Sequence, residues 1–150
     1  QPITVFKDRR ILLGVTGSIA AYKSVDLASK LTQAGALVDV ILTESAARFV
    51  TPLAFRSVTG HPVYDDMWSL DDHVRHVGLG EGAELFLVAP TTANTIAKLA
   101  YGLADNLLTL TALAARTRGC AAGYSSPPSA APPRRWWARQ SFSAMAPSSP

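Results

Sequence analysis

Three short apolar runs decide what kind of sheet this chain can build. Ile11–Val15 and Leu85–Ala89 are unbroken, and Leu37–Leu42 is interrupted only by Asp39. Runs of this length without strict polar alternation fit strands covered on both faces, as in a parallel sheet, and not half-solvated antiparallel hairpins. Between Val15 and Leu37, the pattern predicts a helix from about Ser18 to Ala34. Ile19, Tyr22, Leu27 and Leu31 fall on its apolar side, and Gly35 stops it. Strand, helix and strand then make a βαβ unit of ordinary length. The fold class that follows is α/β, a Rossmann-like open parallel sheet with flanking helices.

Each run also ends in small polar residues. The first passes into Thr16-Gly17-Ser18-Ile19 and the second into Thr43-Glu44-Ser45. The third meets Pro90, expected to stop the strand, and then Thr91-Thr92-Ala93-Asn94-Thr95. In an open α/β sheet, ligands bind outside the carboxyl ends of the strands. Gly17 permits a tight turn, Ser18 can cap the helix and offer its hydroxyl to an anion, and the first free helix amides carry partial positive charge. This describes a phosphate cradle. The second and third glycines of the dinucleotide fingerprint are missing, and no Gly-Lys-Ser/Thr follows, so a single phosphate fits better than a pyrophosphate or a nucleoside triphosphate. Taken singly, each polar segment reads as an ordinary turn or cap. Their shared position at one sheet edge points to a ligand.

The remaining elements are coarser. A short helix carrying Ala46, Phe49 and Val50 is expected, then a helical piece from Thr51-Pro52, a turn at Gly60-His61-Pro62 and a short edge strand at Val63-Tyr64. Residues 65–75 read as an acidic loop leading to a short helix near His76. Helices are expected from about Asn94 to Tyr101 and from about Asp105 to Ala115, with a break at Gly102.

Net charge is +3, which by itself suggests a nucleic-acid partner. Its distribution removes that suggestion. Residues 1–116 hold 10 Lys/Arg against 11 Asp/Glu, while Arg118, Arg134, Arg135 and Arg139 follow with no acid among them. Cys120 is the only cysteine, so no intrachain disulfide forms and a reducing, cytoplasmic setting is the default. No apolar run is long enough for a membrane helix, and the first ten residues do not read as a signal peptide. No membrane or nucleic-acid partner is expected.

Composition shifts near Thr117. Residues 117–150 are mostly Ala, Pro, Ser, Arg and Gly, contain six of the ten prolines and show no apolar periodicity. A segment of this kind buries too little surface to offset its ordering entropy. The expected division is therefore a domain over 1–116, with its C-terminal part missing, and a disordered tail over 117–150.

Four motifs carry a resemblance. Gly17-Ser18-Ile19-Ala20-Ala21-Tyr22-Lys23, His76-Val77-Gly78-Leu79, Pro90-Thr91-Thr92-Ala93-Asn94-Thr95 and Gly102-Leu103-Ala104-Asp105-Asn106-Leu107-Leu108 occur in order. Their order and spacing resemble those of the homo-oligomeric flavin-containing cysteine decarboxylases, over roughly Arg10 to Arg116. The nearest branch acts on phosphopantothenoylcysteine in coenzyme A biosynthesis. The resemblance implies FMN as cofactor, held by Gly17, Ser18, Ile19, Thr43, Ser45, Thr92, Ala93, Asn94 and Thr95. It also implies His76 as catalytic acid/base, where an imidazole titrating near neutrality suits proton transfer. A homotrimer or larger homo-oligomer is implied as well.

Without the resemblance, His76 reads as a surface histidine. His73 and His76 lack a third ligand at metal spacing, so no metal is expected. Beyond residue 117 the family's Pro-x-Met-Asn motif and later cysteine are absent. The tail is therefore expected to be a shifted reading frame or alternative end of an FMN-dependent carboxy-lyase, and the missing motifs leave the activity of this shortened form open. A non-catalytic FMN-binding or regulatory subunit and a flavin prenyltransferase-like enzyme are the alternatives.

Overall fold

The computed structural model describes residues 4–66, 82–115 and 119–124. Their elements, in chain order, are β1 (Arg10–Val15), α1 (Ala21–Gln33), β2 (Leu37–Leu42), α2 (Glu44–Ala47), α3 (Pro52–Thr59), β3 (Val63–Tyr64), β4 (Leu85–Thr91), α4 (Ala93–Tyr101), α5 (Leu107–Ala114) and β5 (Gly119–Tyr124). The strands form one parallel sheet in the order β3-β2-β1-β4-β5. The chain builds outward from β1 to β3 on one side, then returns to place β4 on the other. The switch point thus falls between β1 and β4.

Both faces are covered, as the apolar runs require. Ile11, Leu13 and Val15 of β1 join Val38, Val40 and Leu42 of β2 on one face, against Ala21 and Ala28 of α1 and Phe55 of α3. On the other face Leu12, Ile41, Phe86 and Val88 pack with Leu107, Leu108 and Ala112 of α5. Gly14 lies under α5: a Cβ there would sit 2.8 Å from Leu108 Cδ1. Asp39 is the buried acid of β2. Arg10 Nε lies 3.6 Å from its Oδ2 and His61 Nδ1 lies 3.1 Å from its Oδ1, which explains a carboxylate inside an otherwise apolar strand.

Several expectations change. β4 does not stop at Pro90 but runs through it to Thr91. A proline lacks the N–H that a ladder uses, and the β4–β5 pairing shifts register between Val88 and Thr91, where that donor is not needed. α1 begins at Ala21, not Ser18, and its inward stripe is Ala21, Ser24 and Ala28. Ile19 and Tyr22 are 82% and 61% exposed, so they are not on the buried side; Leu27 and Leu31 flank the core. The small stripe residues bring α1 close to the sheet. α2 ends before Phe49 and Val50, and α5 starts at Leu107 behind the Asn106 cap. Gly35 and Gly102 close α1 and α4 at positive φ, as expected.

The largest correction concerns residues 119–124. The expected tail begins at 117, yet Gly119–Tyr124 forms β5 and pairs with β4 from Leu85↔Gly119 to Thr91↔Tyr124. The edge expected to be open is occupied. Gly-Cys-Ala-Ala-Gly-Tyr lacks the β-branched residues that mark strands, and the neighbouring strand supplies the ladder that composition did not advertise. Residues 125–150 lie outside the described residues, as do His73, His76 and the expected helix near them. Among the described residues, no helix is long and apolar enough to cross a membrane.

Candidate functional site at the carboxyl edge

Parallel pairing puts the segments after β1, β2 and β4 at the same edge of the sheet, beside the β1/β4 switch point. Their proximity is physical. A Cβ on Gly17 would lie 2.4 Å from Ser45 Cβ and 2.9 Å from the Ser45 carbonyl carbon, so only glycine lets the two turns touch. On the other side Thr16 Oγ1 donates to the Pro90 carbonyl at 2.7 Å and accepts from the Thr92 amide at 3.1 Å. Thr43 N–H donates to the Val15 carbonyl at 3.1 Å, which ties the β2 end to the β1 end.

The expected site residues divide by what their groups already do. Thr43 Oγ1 accepts from the Ala46 amide and Thr92 Oγ1 from the Thr95 amide, each at 3.2 Å, so both oxygens serve as helix caps. Thr95 is buried, with its hydroxyl 3.1 Å from that of Thr92. Ser18 Oγ accepts from the Ala20 amide at 3.3 Å and keeps its own proton to donate. Ala93, Asn94 and Ser45 are exposed at the first turns of α4 and α2, and Ile19 projects into solvent. Among the described residues, the amides of Gly17, Ser18 and Ile19 donate to no protein acceptor, nor do those of Ala93 and Asn94. The structure therefore brings all nine residues to one edge. His76 lies outside the described residues.

The donor set is chemically specific. Three consecutive free amides and a serine hydroxyl precede the 13-residue α1, whose dipole places partial positive charge at that end. Among the described residues, no Arg or Lys side chain is bonded into the cradle. Lys23 is exposed, with its Nζ 6.0 Å over the Tyr22 ring. Such a site suits one phosphate group bound by N–H donors, while the hydroxyls and amides of the β4–α4 turn suit the hydrogen-bonding edge of a heterocycle. A phosphorylated ring with a polar linker matches all three segments. Among the described residues, no group of three or more His, Cys, Asp or Glu is placed to hold a metal ion.

Two residues have a role that the sequence did not assign. Thr16, 1% exposed, is the hydroxyl that joins the β1 and β4 turns, and Ser24, 3% exposed, donates from α1 to the Ala89 carbonyl at 2.7 Å. A signal for Ser24 existed. It is the one hydroxyl in the Ala21/Ser24/Ala28 inward stripe, and a buried hydroxyl implies a partner.

Comparison with known proteins places the site in context. The profile of the Flavoprotein family matches residues 4–122. The coenzyme A biosynthesis bifunctional protein CoaBC of Bacillus subtilis (strain 168) is 50% identical over 113 residues, covering 74% of this chain and 28% of that protein. A probable phosphopantothenoylcysteine decarboxylase of Streptococcus mutans is 46% identical over 108 residues, covering 71% of this chain and 60% of that protein. The chain therefore spans less than two thirds of either relative. Among solved structures, the FMN-dependent cysteine decarboxylase TvaF from thioviridamide biosynthesis superposes with a TM-score of 0.71 at 28% identity, covering 81% of this chain and 75% of that one. A PPC decarboxylase mutant complexed with pantothenoylaminoethenethiol gives 0.69 at 31% identity, covering 81% and 69%. The family profile covers most of the chain, and the superpositions agree with it: the chain belongs to the Flavoprotein family.

Proposed function

We propose that this chain is the FMN-binding domain of an enzyme that decarboxylates phosphopantothenoylcysteine to phosphopantetheine in coenzyme A biosynthesis. The observation that carries the reading is the set of unpaired donors at the switch point: the Gly17–Ile19 amides, the Ser18 hydroxyl and the α4 first-turn amides, with no cation bonded among them in the described residues. The names of its relatives, CoaBC and phosphopantothenoylcysteine decarboxylase, support the substrate class.

In this reading Gly17, Ser18 and Ile19 hold the phosphate, Thr43 and Ser45 flank the linker, and Thr92, Ala93, Asn94 and Thr95 line the ring edge. FMN, when bound, supplies a two-electron sink and source, the chemistry that lets a cysteine carboxyl group leave as carbon dioxide. The protein contributes orientation and proton transfer, the latter assigned to His76. The proposal extends to a cytoplasmic homotrimer or larger homo-oligomer. Ile19, Tyr22, Phe49 and Leu53, all exposed on the segments after β1 and β2, support association at this edge.

Purified full-length chain tests the reading. Bound flavin lacking adenine, released on denaturation, together with carbon dioxide from phosphopantothenoylcysteine, is the expected result. Flavin binding without turnover would favour the non-catalytic subunit. Colourless protein that takes up no added FMN would defeat the proposal.

A further inference from the structure

The phosphate cradle belongs to the β1–α1 turn and the ring-side donors belong to the β4–α4 turn, so the site depends on what fixes one turn against the other. The regular β1–β4 pairing reaches only from Ile11↔Leu85 to Gly14↔Val88. Beyond it, the carbonyls of Ala89 and Pro90 need other donors. Thr16 gives two to Pro90 O, its amide at 3.3 Å and its hydroxyl at 2.7 Å, while that same hydroxyl accepts from Thr92 N–H at 3.1 Å. Ser24 Oγ reaches from α1 to Ala89 O at 2.7 Å. Both side chains are buried, and neither hydroxyl has a proton left to offer a ligand.

We propose that Thr16 and Ser24 are positioning residues for FMN, two hydroxyls of the β1–α1 unit that hold the 89–92 turn and so set the span between phosphate cradle and ring-side donors. The inference rests on the reading of this edge as an FMN site. The chemistry of Thr16 is restrictive: it must donate and accept at once, which serine does and valine, of nearly the same shape, does not. Losing it leaves the part-buried Thr92 amide without its partner.

The test uses the full chain as wild type, Thr16→Val, Thr16→Ser and Ser24→Ala. Removing hydrogen bonds of this kind should raise the FMN dissociation constant about 10-fold for Thr16→Val and about 3-fold for Ser24→Ala, with Thr16→Ser restoring tight binding. Saturating FMN separates positioning from mere stability. The loaded Thr16→Val protein should still differ from wild type in its visible circular dichroism and flavin reduction potential, whereas a hydroxyl that only braced the fold would leave both unchanged. If Thr16→Val does not fold, Ser24→Ala carries the same spectroscopic expectation at lower amplitude. Wild-type affinity, dichroism and potential in the valine or alanine variant would overturn the proposal, as would a serine variant no better than valine. Failure of the wild-type chain to bind FMN would instead overturn the site reading, and this inference with it.

Discussion

At the residue scale, Gly17 and Gly14 are both glycines of close approach, but they meet different neighbours. A methyl at Gly17 runs into Ser45 Cβ and backbone, which a rotamer change cannot clear, whereas at Gly14 it meets the end of the Leu108 side chain. Gly17→Ala should therefore cost about 1–3 kcal/mol and weaken FMN binding, and Gly14→Ala should cost less and spare the affinity. Thermal melts and flavin titrations of both variants check this; equal behaviour would deny the contact its role. His76→Asn is expected to retain FMN while turnover falls by about 10²- to 10⁴-fold, measured as carbon dioxide release. Gly17, Ser18 and Thr92 were legible in the sequence as turn and cap residues because their residue types carry that chemistry by themselves, whereas Asn94 lies exposed inside α4 and leaves the cap to Thr92. Thr16 and Ser24 were not, because the carbonyls they bind lie 74 and 65 residues further along the chain.

At the element scale, caps decide where helices begin. Asn106 accepts from the Thr109 amide at 2.9 Å while Thr109 Oγ1 accepts from the Asn106 amide at 3.3 Å, a reciprocal box that starts α5. Asn106→Ala should lower stability by about 1 kcal/mol in denaturant titration. Just before it, Lys98 Nζ lies 2.7 Å from Asp105 Oδ2 and joins α4 to the connecting loop. That hydrogen bond lowers the Asp105 pKa below its ordinary 3.8. A carboxylate depressed in the folded state stabilises above its unfolded pKa, and the contribution disappears as pH falls through the lower folded value. The stability gap between wild type and Asp105→Asn should thus be small at neutral pH, because the pair is solvent-exposed, and should vanish at acid pH. The existence of β1, β2, β4 and α1 was readable from apolar runs and their stops. The boundaries at Pro90 and Ser18 were misplaced because both depend on which backbone groups the neighbouring strand uses.

For the whole molecule, the sheet order makes β5 the outer guard of β4. A chain ending at Ala115 should expose the β4 edge from Leu85 to Thr91 and associate, while the 150-residue chain sediments as a discrete species. A shortened chain that stays monodisperse would show that β5 is dispensable. Composition hid this strand because its residues are small, and only the partner strand gives them an extended form.

The two ends of the sheet differ in kind. Arg9–Glu84 and the Arg10–Asp39–His61 group sit towards the strand beginnings, whereas among the described residues the donors gathered at the opposite edge are uncharged. Ionic strength should therefore act at one pole and the ligand at the other. Added salt screens partly exposed charges and should lower the melting temperature of the empty protein. Its effect on FMN affinity should be shallow, since fixed dipoles and amides in a neutral cradle offer counterions little to displace. A phosphate site made of lysines and arginines would lose affinity steeply over the same salt series, so the slope itself reports which kind of receptor the chain carries.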